Sequence, residues 1–453
     1  MIRALKTFDE LHLNRNAQFD PLLFEQAQRQ VLVRRGLRLG SFSDVEPQKQ
    51  CIRTLLQLEN VAEKSEFENI AVELIDAYAR LRDPHSYALS NSDRANRSSY
   101  YNGYGFAIER SNLADRVEVV EVIAGSPAHS AGLQKGMAIG TINGVDVALK
   151  SMNQVAMLIN NAANETVVLS VSGPSVAVTR QVTLKRSRFK IAPVKSATFE
   201  KGRIAYLKLR TFTDAEASFA ENLQSFSSAT ILILDLRDLP GGSVESALDL
   251  ADWITPGKRP FVGFLARDMS SLKPLSLQDP NSIWDGAVVV LVNSGTMSAA
   301  EILAGALQDY GAVVVGSTTF GKGTRQKREF LSDFGLAGDV HVTDAFTIRP
   351  SGKVLQFQGV KPDVMLPTFK KNEGAREIHD ARALPAPLDQ LPLPGYDPSL
   401  LLMRAPAFRS RLAALEKQLT TAIELGQLGL TEEDQHLEGA KQVAQFLNLQ
   451  IGN

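Results

Sequence analysis

Two residues of this chain have the types and settings of a nucleophile and its base. Ser298 stands in Thr296-Met297-Ser298-Ala299-Ala300-Glu301, and Lys322 in Phe320-Gly321-Lys322-Gly323-Thr324. A serine hydroxyl attacks poorly unless a base removes its proton. A lysine amine can do this only when neutral, so its reference pKa of roughly 10.4 must fall by several units through burial. The glycines on either side of Lys322 let the backbone bring the amine close to a partner. No histidine lies near these motifs, which argues against a Ser-His-Asp triad; His85 alone sits in a suggestive context. Plainer accounts exist. Ser-x-x-Glu opening a helix is a capping box. Gly316-x4-Gly321-Lys322 nearly spells a phosphate-binding loop, but such a loop needs Ser or Thr directly after Lys and then a helix. Here Gly323 follows, and Thr324–Phe330 reads as a strand.

The elements that would carry these residues are strands and helices in alternation. An apolar run over 287–293 enters a tight turn, and a helix over 298–309 begins at the serine. That turn projects the hydroxyl into a cleft, where the Ala299 N–H and the helix dipole can meet a developing oxyanion. A second strand, 230–236, runs through Pro240-Gly241-Gly242 into a helix over 243–254. Gly241 or Gly242 could supply the other oxyanion amide, although the segment taken alone is equally a plain strand–turn–helix. Further strands over 203–209 and 312–316, with a helix over 215–226, imply a mainly parallel sheet covered by helices.

Ahead of this α/β region the pattern is different. Residues 1 to about 95 read as helical, with a helix ending before Asp83-Pro84. Residues 90–99 look like a polar linker. From 100 to about 188 the chain is β-rich, with strands over 117–122, 137–142 and 166–171 and one helix over 152–162. Gly103-Tyr104-Gly105-Phe106-Ala107-Ile108 has the form of a loop whose amides hold a carboxylate ahead of a sheet edge. A peptide with a free C-terminus could add to that edge, its side chains facing Val155, Ile159 and Leu158 on the helix. The run Ala124-Gly-Ser-Pro-Ala-His-Ser-Ala-Gly-Leu-Gln-Lys-Gly-Met, continuing into Ile139-Gly-Thr-Ile-Asn-Gly-Val, resembles that of bacterial PDZ domains, with Met137 where an Asp is usual. A Pro-rich stretch over 384–398 reads as an extended linker, and 406–449 as an amphipathic helical tail that could pack on the body or on another subunit.

Bulk properties restrict the function classes. The chain has 453 residues, enough for two to four domains, and 44% of them are hydrophobic. Lys+Arg number 49 and Asp+Glu 50, a balance that gives no electrostatic case for nucleic acid or an acidic membrane surface. One cysteine, Cys51, excludes an internal disulfide, and with six scattered histidines there is no zinc-ligand spacing; no cofactor or metal is expected. Cys51 itself reads as a small buried hydrophobe in a helix. No apolar run approaches the ~20 residues that span a bilayer, and no signal peptide is visible at the start.

Taken in order, these motifs resemble the C-terminal processing (tail-specific) proteases of the S41 serine peptidase family, over roughly residues 81–367. The match rests on Asp83-Pro-His-Ser, the PDZ run, Leu234-Asp-Leu-Arg with Pro240-Gly-Gly, residues 296–308, Phe320-Gly-Lys-Gly-Thr with Gln326, and Gln358-Gly-Val-Lys-Pro-Asp-Val. Two departures touch the lining of the site. Leu239 stands where Asn commonly precedes Pro-Gly-Gly, and Met-Ser-Ala-Ala-Glu replaces Ala-Ser-Ala-Ser-Glu. The resemblance implies an α/β protease core (a crotonase/ClpP-like sheet with helices), an inserted β-rich PDZ domain, and helical N- and C-terminal regions. The expected division is 1–95, 96–190, 191–370 and 371–453. It also implies Ser298 as nucleophile, Lys322 as base, Gln326 as the residue orienting the lysine, and Ala299 with Gly241 or Gly242 as oxyanion amides. Substrates would be proteins or peptides with accessible C-termini, captured or gated by the PDZ domain. Some members depend on an adaptor protein, and many act in the periplasm or elsewhere outside the cytoplasm; the residues leave the cytoplasm open as well. The competing reading is a catalytically silent PDZ scaffold that binds C-terminal tails.

Overall fold

The computed structural model describes residues 12, 20–35, 64–91, 100–110, 116–160, 165–173, 179–266, 271–278, 282–368, 376–398, 406–425, 427–428 and 432–451. Cys51 and most of the 90–99 linker lie outside them.

Two helices, α1 (Pro21–Arg34) and α2 (Lys64–Arg82), pack together through Phe24, Ile70, Leu74 and Tyr78. Helix α2 ends one residue before Asp83-Pro84, because a residue ahead of proline is pushed out of the helical region. Strand β1 (Tyr87–Ser90) follows. Next come β2 (Tyr100–Gly103), β3 (Phe106–Arg110), β4 (Val117–Val122), the short α3 (Pro127–Ser130), β5 (Ala138–Ile142), β6 (Val145–Asp146), α4 (Met152–Asn160), β7 (Thr166–Ser172), β8 (Thr179–Lys185) and β9 (Ser187–Lys190). Strands β3 to β8 form one antiparallel sheet around a core of its own, which includes Val117, Ile142, Val155 and Leu169. The β2–β9 ribbon closes its entry and exit.

The α/β region runs β10 (Val194–Phe199), β11 (Ile204–Leu209), α5 (Glu216–Ser225), β12 (Ile231–Asp235), α6 (Val244–Ile254), β13 (Pro260–Ala266), β14 (Leu272–Ser276), β15 (Ala287–Val292), α7 (Ala299–Asp309), β16 (Val313–Gly316), β17 (Thr324–Phe330), β18 (Gly338–Ile348) and β19 (Val364–Met365). Its main sheet has the order β10-β11-β12-β15-β16-β19 and is parallel apart from β10. Strand β12 is buried along its whole length, as expected of a strand covered on both faces. Helices α5, α6 and α7 cover one face. The other face is covered by α8 (Pro406–Glu424) and α9 (Glu432–Ile451), through Leu419, Ile423, Val443 and Leu447. The helical tail is thus two helices packed on the body.

A second sheet, β1-β18-β13-β14 with β17 on β18, is antiparallel and was not foreseen. Through β1 and β18 it joins the N-terminal helices to the α/β region. Residues 384–397 of the Pro-rich stretch have neither helix nor strand, yet they are fixed to the body. Leu384 and Leu393 are buried against Leu265 and Ile348, and the Gln390 amide donates to the Gly352 carbonyl at 2.8 Å. No helix among the described residues is long and apolar enough to cross a membrane.

Candidate active site

Strand β15 ends in Asn293-Ser-Gly-Thr-Met, a turn laced to the parallel turn that follows β12. Thr296 Oγ1 donates to the Leu236 carbonyl at 2.9 Å, the Met297 amide to the Leu239 carbonyl at 3.0 Å, and Asn293 Nδ2 to Asp238 Oδ1 at 3.0 Å. Ser298 sits where that turn enters α7. Its backbone is left-handed, with φ 56° and ψ −120°, and its side chain makes no capping bond. A non-glycine residue held at positive φ stores roughly 1–3 kcal/mol and is maintained only by its surroundings. Ser298 and Glu301 face each other as the expected capping box: Glu301 reaches back to the Ser298 amide at 2.8 Å, and the Glu301 amide donates to the Ser298 carbonyl at 2.8 Å.

Gly241 lies against this turn. A Cβ there would come within 2.8 Å of the Met297 carbonyl oxygen and 2.8 Å of Ser298 Cβ, and the residue has φ 95°. Its backbone therefore borders Ser298 and the Ala299 amide at the buried mouth of α7. Gly242 points elsewhere, packing on Phe212.

Lys322 is carried by the loop from β16 to β17. Gly323 leaves no room for a side chain, since a Cβ would stand 2.0 Å from the Gln356 amide nitrogen. The Phe320 amide donates to the Thr296 carbonyl at 3.1 Å, bringing this loop to the serine turn. Glu301 then joins the two. Its Oε2 accepts from the amides of Ser298 at 2.8 Å and Lys322 at 2.9 Å, and its Oε1 from Thr319 Oγ1 and the Gly321 amide, each at 2.6 Å. Burial raises the Glu301 carboxyl, the four donors oppose the shift, and the net result is a pKa of about 7. Lys322 Nζ donates to Gln326 Oε1 at 2.7 Å. Burial depresses this amine below its ordinary value of 10.5, against the pull of Glu377, Asp83 and Glu301. Strand β17 begins two residues after the lysine, with no helix, so the loop cannot serve as a phosphate-binding loop.

The structure adds residues that sequence reasoning did not assign. Glu377 is almost fully buried and pairs with His85 Nε2 at 2.6 Å. Asp83 pairs with His12 Nε2 at 2.7 Å. Burial alone would raise the Asp83 carboxyl; the bond and charge of His12, with donors from Ser86 and His85, bring it down to about 2. The Asp-Pro-His-Ser run was the one sequence signal pointing here.

In the inserted β sheet, a groove of about 190 Å³ lies between β3 and α4, lined by Tyr104, Gly105, Phe106, Ile108, Ala156 and Ile159. Two expectations are corrected. Val155 is fully buried in the core of that sheet, and the helix presents Ala156 and Ile159 to the groove instead, three residues apart on one face. Gly103 belongs to the β2–β9 ribbon, paired with Ser187; Gly105, at φ 81°, makes the curl.

Comparison with known proteins agrees with this architecture. The family model for peptidase family S41 matches residues 203–366, and a PDZ domain model matches 118–172. The chain is 32% identical over 302 residues to a carboxyl-terminal-processing protease of Picosynechococcus sp., covering 65% of this chain and 70% of that protein. It is 32% identical over 328 residues to the chloroplastic carboxyl-terminal-processing peptidase 3 of Arabidopsis thaliana, covering 69% of this chain and 62% of that protein's length. A crystal structure described as a candidate S41 protease from Bacteroides fragilis superposes with a TM-score of 0.50 at 17% identity, over 88% of this chain and 98% of that one, and bears on the fold alone. On these grounds the chain belongs to peptidase family S41, among the carboxyl-terminal-processing proteases, and carries a PDZ domain.

Proposed function

We propose that the chain is a serine endopeptidase that cuts proteins near their C-termini, with Ser298 as nucleophile and Lys322 as general base. The observation that carries this reading is the meeting of the two loops at Glu301, with Ser298 at positive φ on one side and a half-buried amine of lowered pKa on the other. The neutral amine would take the hydroxyl proton as Ser298 attacks the peptide carbonyl. The amides of Ala299 and Gly241 would receive the oxyanion, and the ammonium would return the proton to the leaving amine. Gln326 holds the amine in place. Gly242, next along the same turn, is the other candidate for the second oxyanion amide. The six-stranded, largely parallel sheet supports a crotonase/ClpP-like core.

On the same reading, the groove at Phe106 and Ile159 captures an apolar C-terminal residue and gates the core. The groove sheet touches the core through Glu121, which bonds Arg210 and lies 3.8 Å from Lys195. The working units are 1–95, 96–190, 191–370 and 371–453, and the site of action is outside the cytoplasm, in keeping with the chloroplastic relative of Arabidopsis thaliana. Adaptor recruitment and self-association would use surfaces other than the faces of α8 and α9 already covered.

The test is cleavage of casein by purified variants. Ser298→Ala is expected to abolish turnover, and Lys322→Ala to lower kcat by about 10²–10⁴-fold, with melting preserved. Full activity in both variants would leave only the tail-binding scaffold.

A further inference from the structure

Lys322 donates to Gln326, and Gln326 is itself held from behind. Its Nε2 donates to Thr324 Oγ1 at 3.2 Å and Thr343 Oγ1 at 3.1 Å. Hydroxyls can accept or donate, so these contacts alone would allow the amide either way round. Asp83 removes the ambiguity. Thr343 Oγ1 gives its one proton to Asp83 Oδ1 at 3.1 Å, and an ionised carboxylate only accepts. The Thr343 oxygen can then only accept on its other sides, from Gln326 Nε2 and from Ser86 Oγ at 3.2 Å. The amide NH₂ must therefore face Thr343, and the carbonyl oxygen must face the amine. Asp83 is fixed in turn by His12 Nε2 and by the amides of His85 at 2.8 Å and Ser86 at 2.9 Å. Asp83, Ser86 and Thr343 are all buried.

We propose that Asp83 and Thr343 are positioning residues for the Lys322 base, setting the direction of the Gln326 amide through one hydrogen-bonded chain, Lys322–Gln326–Thr343–Asp83, whose far end is buried. The direction matters chemically. With the carbonyl toward the amine, Lys322 donates an N–H and keeps its lone pair for the serine proton. With the amide reversed, the NH₂ would donate into that lone pair and occupy it. Donors aligned one way along such a chain also polarise one another. This inference rests on the Ser298–Lys322 reading above.

The experiment compares wild type with Ser298→Ala, Thr343→Val, Thr343→Ser and Asp83→Asn in the full chain, measuring kcat and KM on one peptide substrate from neutral to alkaline pH. Thr343→Val should lower kcat by about 10–100-fold at constant KM, and Thr343→Ser should restore most of it. Asp83→Asn should lower kcat and also move its acid limb to lower pH, because one of the carboxylates favouring the ammonium is gone. Glu377, paired with His85, and Glu301 remain in wild type and in Asp83→Asn alike. A purely structural role would lower melting temperature and amplitude without moving the limb. Wild-type kcat in Thr343→Val, or no recovery in Thr343→Ser with melting unchanged, overturns the proposal; so does an unmoved limb in a folded Asp83→Asn. If wild type is active and Ser298→Ala is dead, any of these results sinks this inference alone. If Ser298→Ala cleaves like wild type, the nucleophile reading fails and takes the positioning role with it.

Discussion

At the residue scale the proposed dyad depends on weakening one amine's hold on its proton. A lysine half-buried in the fold and exposed in the unfolded chain, with its folded pKa lowered by desolvation, binds its proton less well when folded. Between its lowered value and 10.5 the unfolded state holds more protons, so wild-type stability should rise with pH across that window. Lys322→Met keeps the chain length and has no such proton. The stability of wild type relative to Lys322→Met should accordingly climb as pH approaches 10.5, which urea unfolding at a series of pH values would detect. A flat difference would mean that the amine keeps its charge in the folded protein. Glu301 contributes differently. It is a buried acceptor for four donors, and it fixes two backbones where an ordinary capping glutamate would fix one.

At the element scale, the proposed oxyanion site lies between the paired turns after β12 and β15, where Gly241 packs against Met297 and Ser298. Gly241→Ala would force a methyl group to 2.8 Å from the Met297 carbonyl in a backbone conformation that alanine resists. The expected result is a kcat loss of about 10²–10³-fold with KM little changed, the size of a lost oxyanion donor. Stopped assays under saturating substrate would show it, and normal turnover would move the second amide away from Gly241. Helix α4 illustrates how a period fixes function. Its core face takes Val155 and, four residues on, Ile159, which also borders the groove, while Ala156 is exposed beside it, so Ala156→Arg should weaken tail-peptide binding while sparing the fold.

At the scale of the whole molecule, two packings join regions that are distant in sequence. Helices α8 and α9 seal one face of the main sheet, with Leu419 1% exposed. Leu419→Ala should cost about 2–5 kcal/mol in chemical denaturation, as large-to-small changes in a well-packed core do. A cost below 0.5 kcal/mol would mean that the tail contributes little to the body. The PDZ domain meets the core at Glu121 and Arg210, one strand away from the Gly241 turn. Removing residues 100–188 should change turnover or substrate choice; identical values for both would exclude gating.

The alternating strands and helices and the two glycine turns were legible in the sequence, because each is written in local spacing, and so were the Ser298 and Lys322 motifs on which the proposed chemistry rests. The strand β12, foreseen over 230–236, occupies Ile231–Asp235. Glu301 was legible only as a capping residue, since nothing local shows that a loop twenty residues on would supply two further amides. The antiparallel sheet, the packing of the tail on the body, the inward turn of Val155 and the chain from Lys322 to Asp83 were decided by tertiary contacts. Asp83 and Thr343 are 260 residues apart, and no periodicity connects them. Local propensity and turn chemistry act over a few residues, whereas the direction of a buried hydrogen bond is set by whichever distant group folding brings beside it.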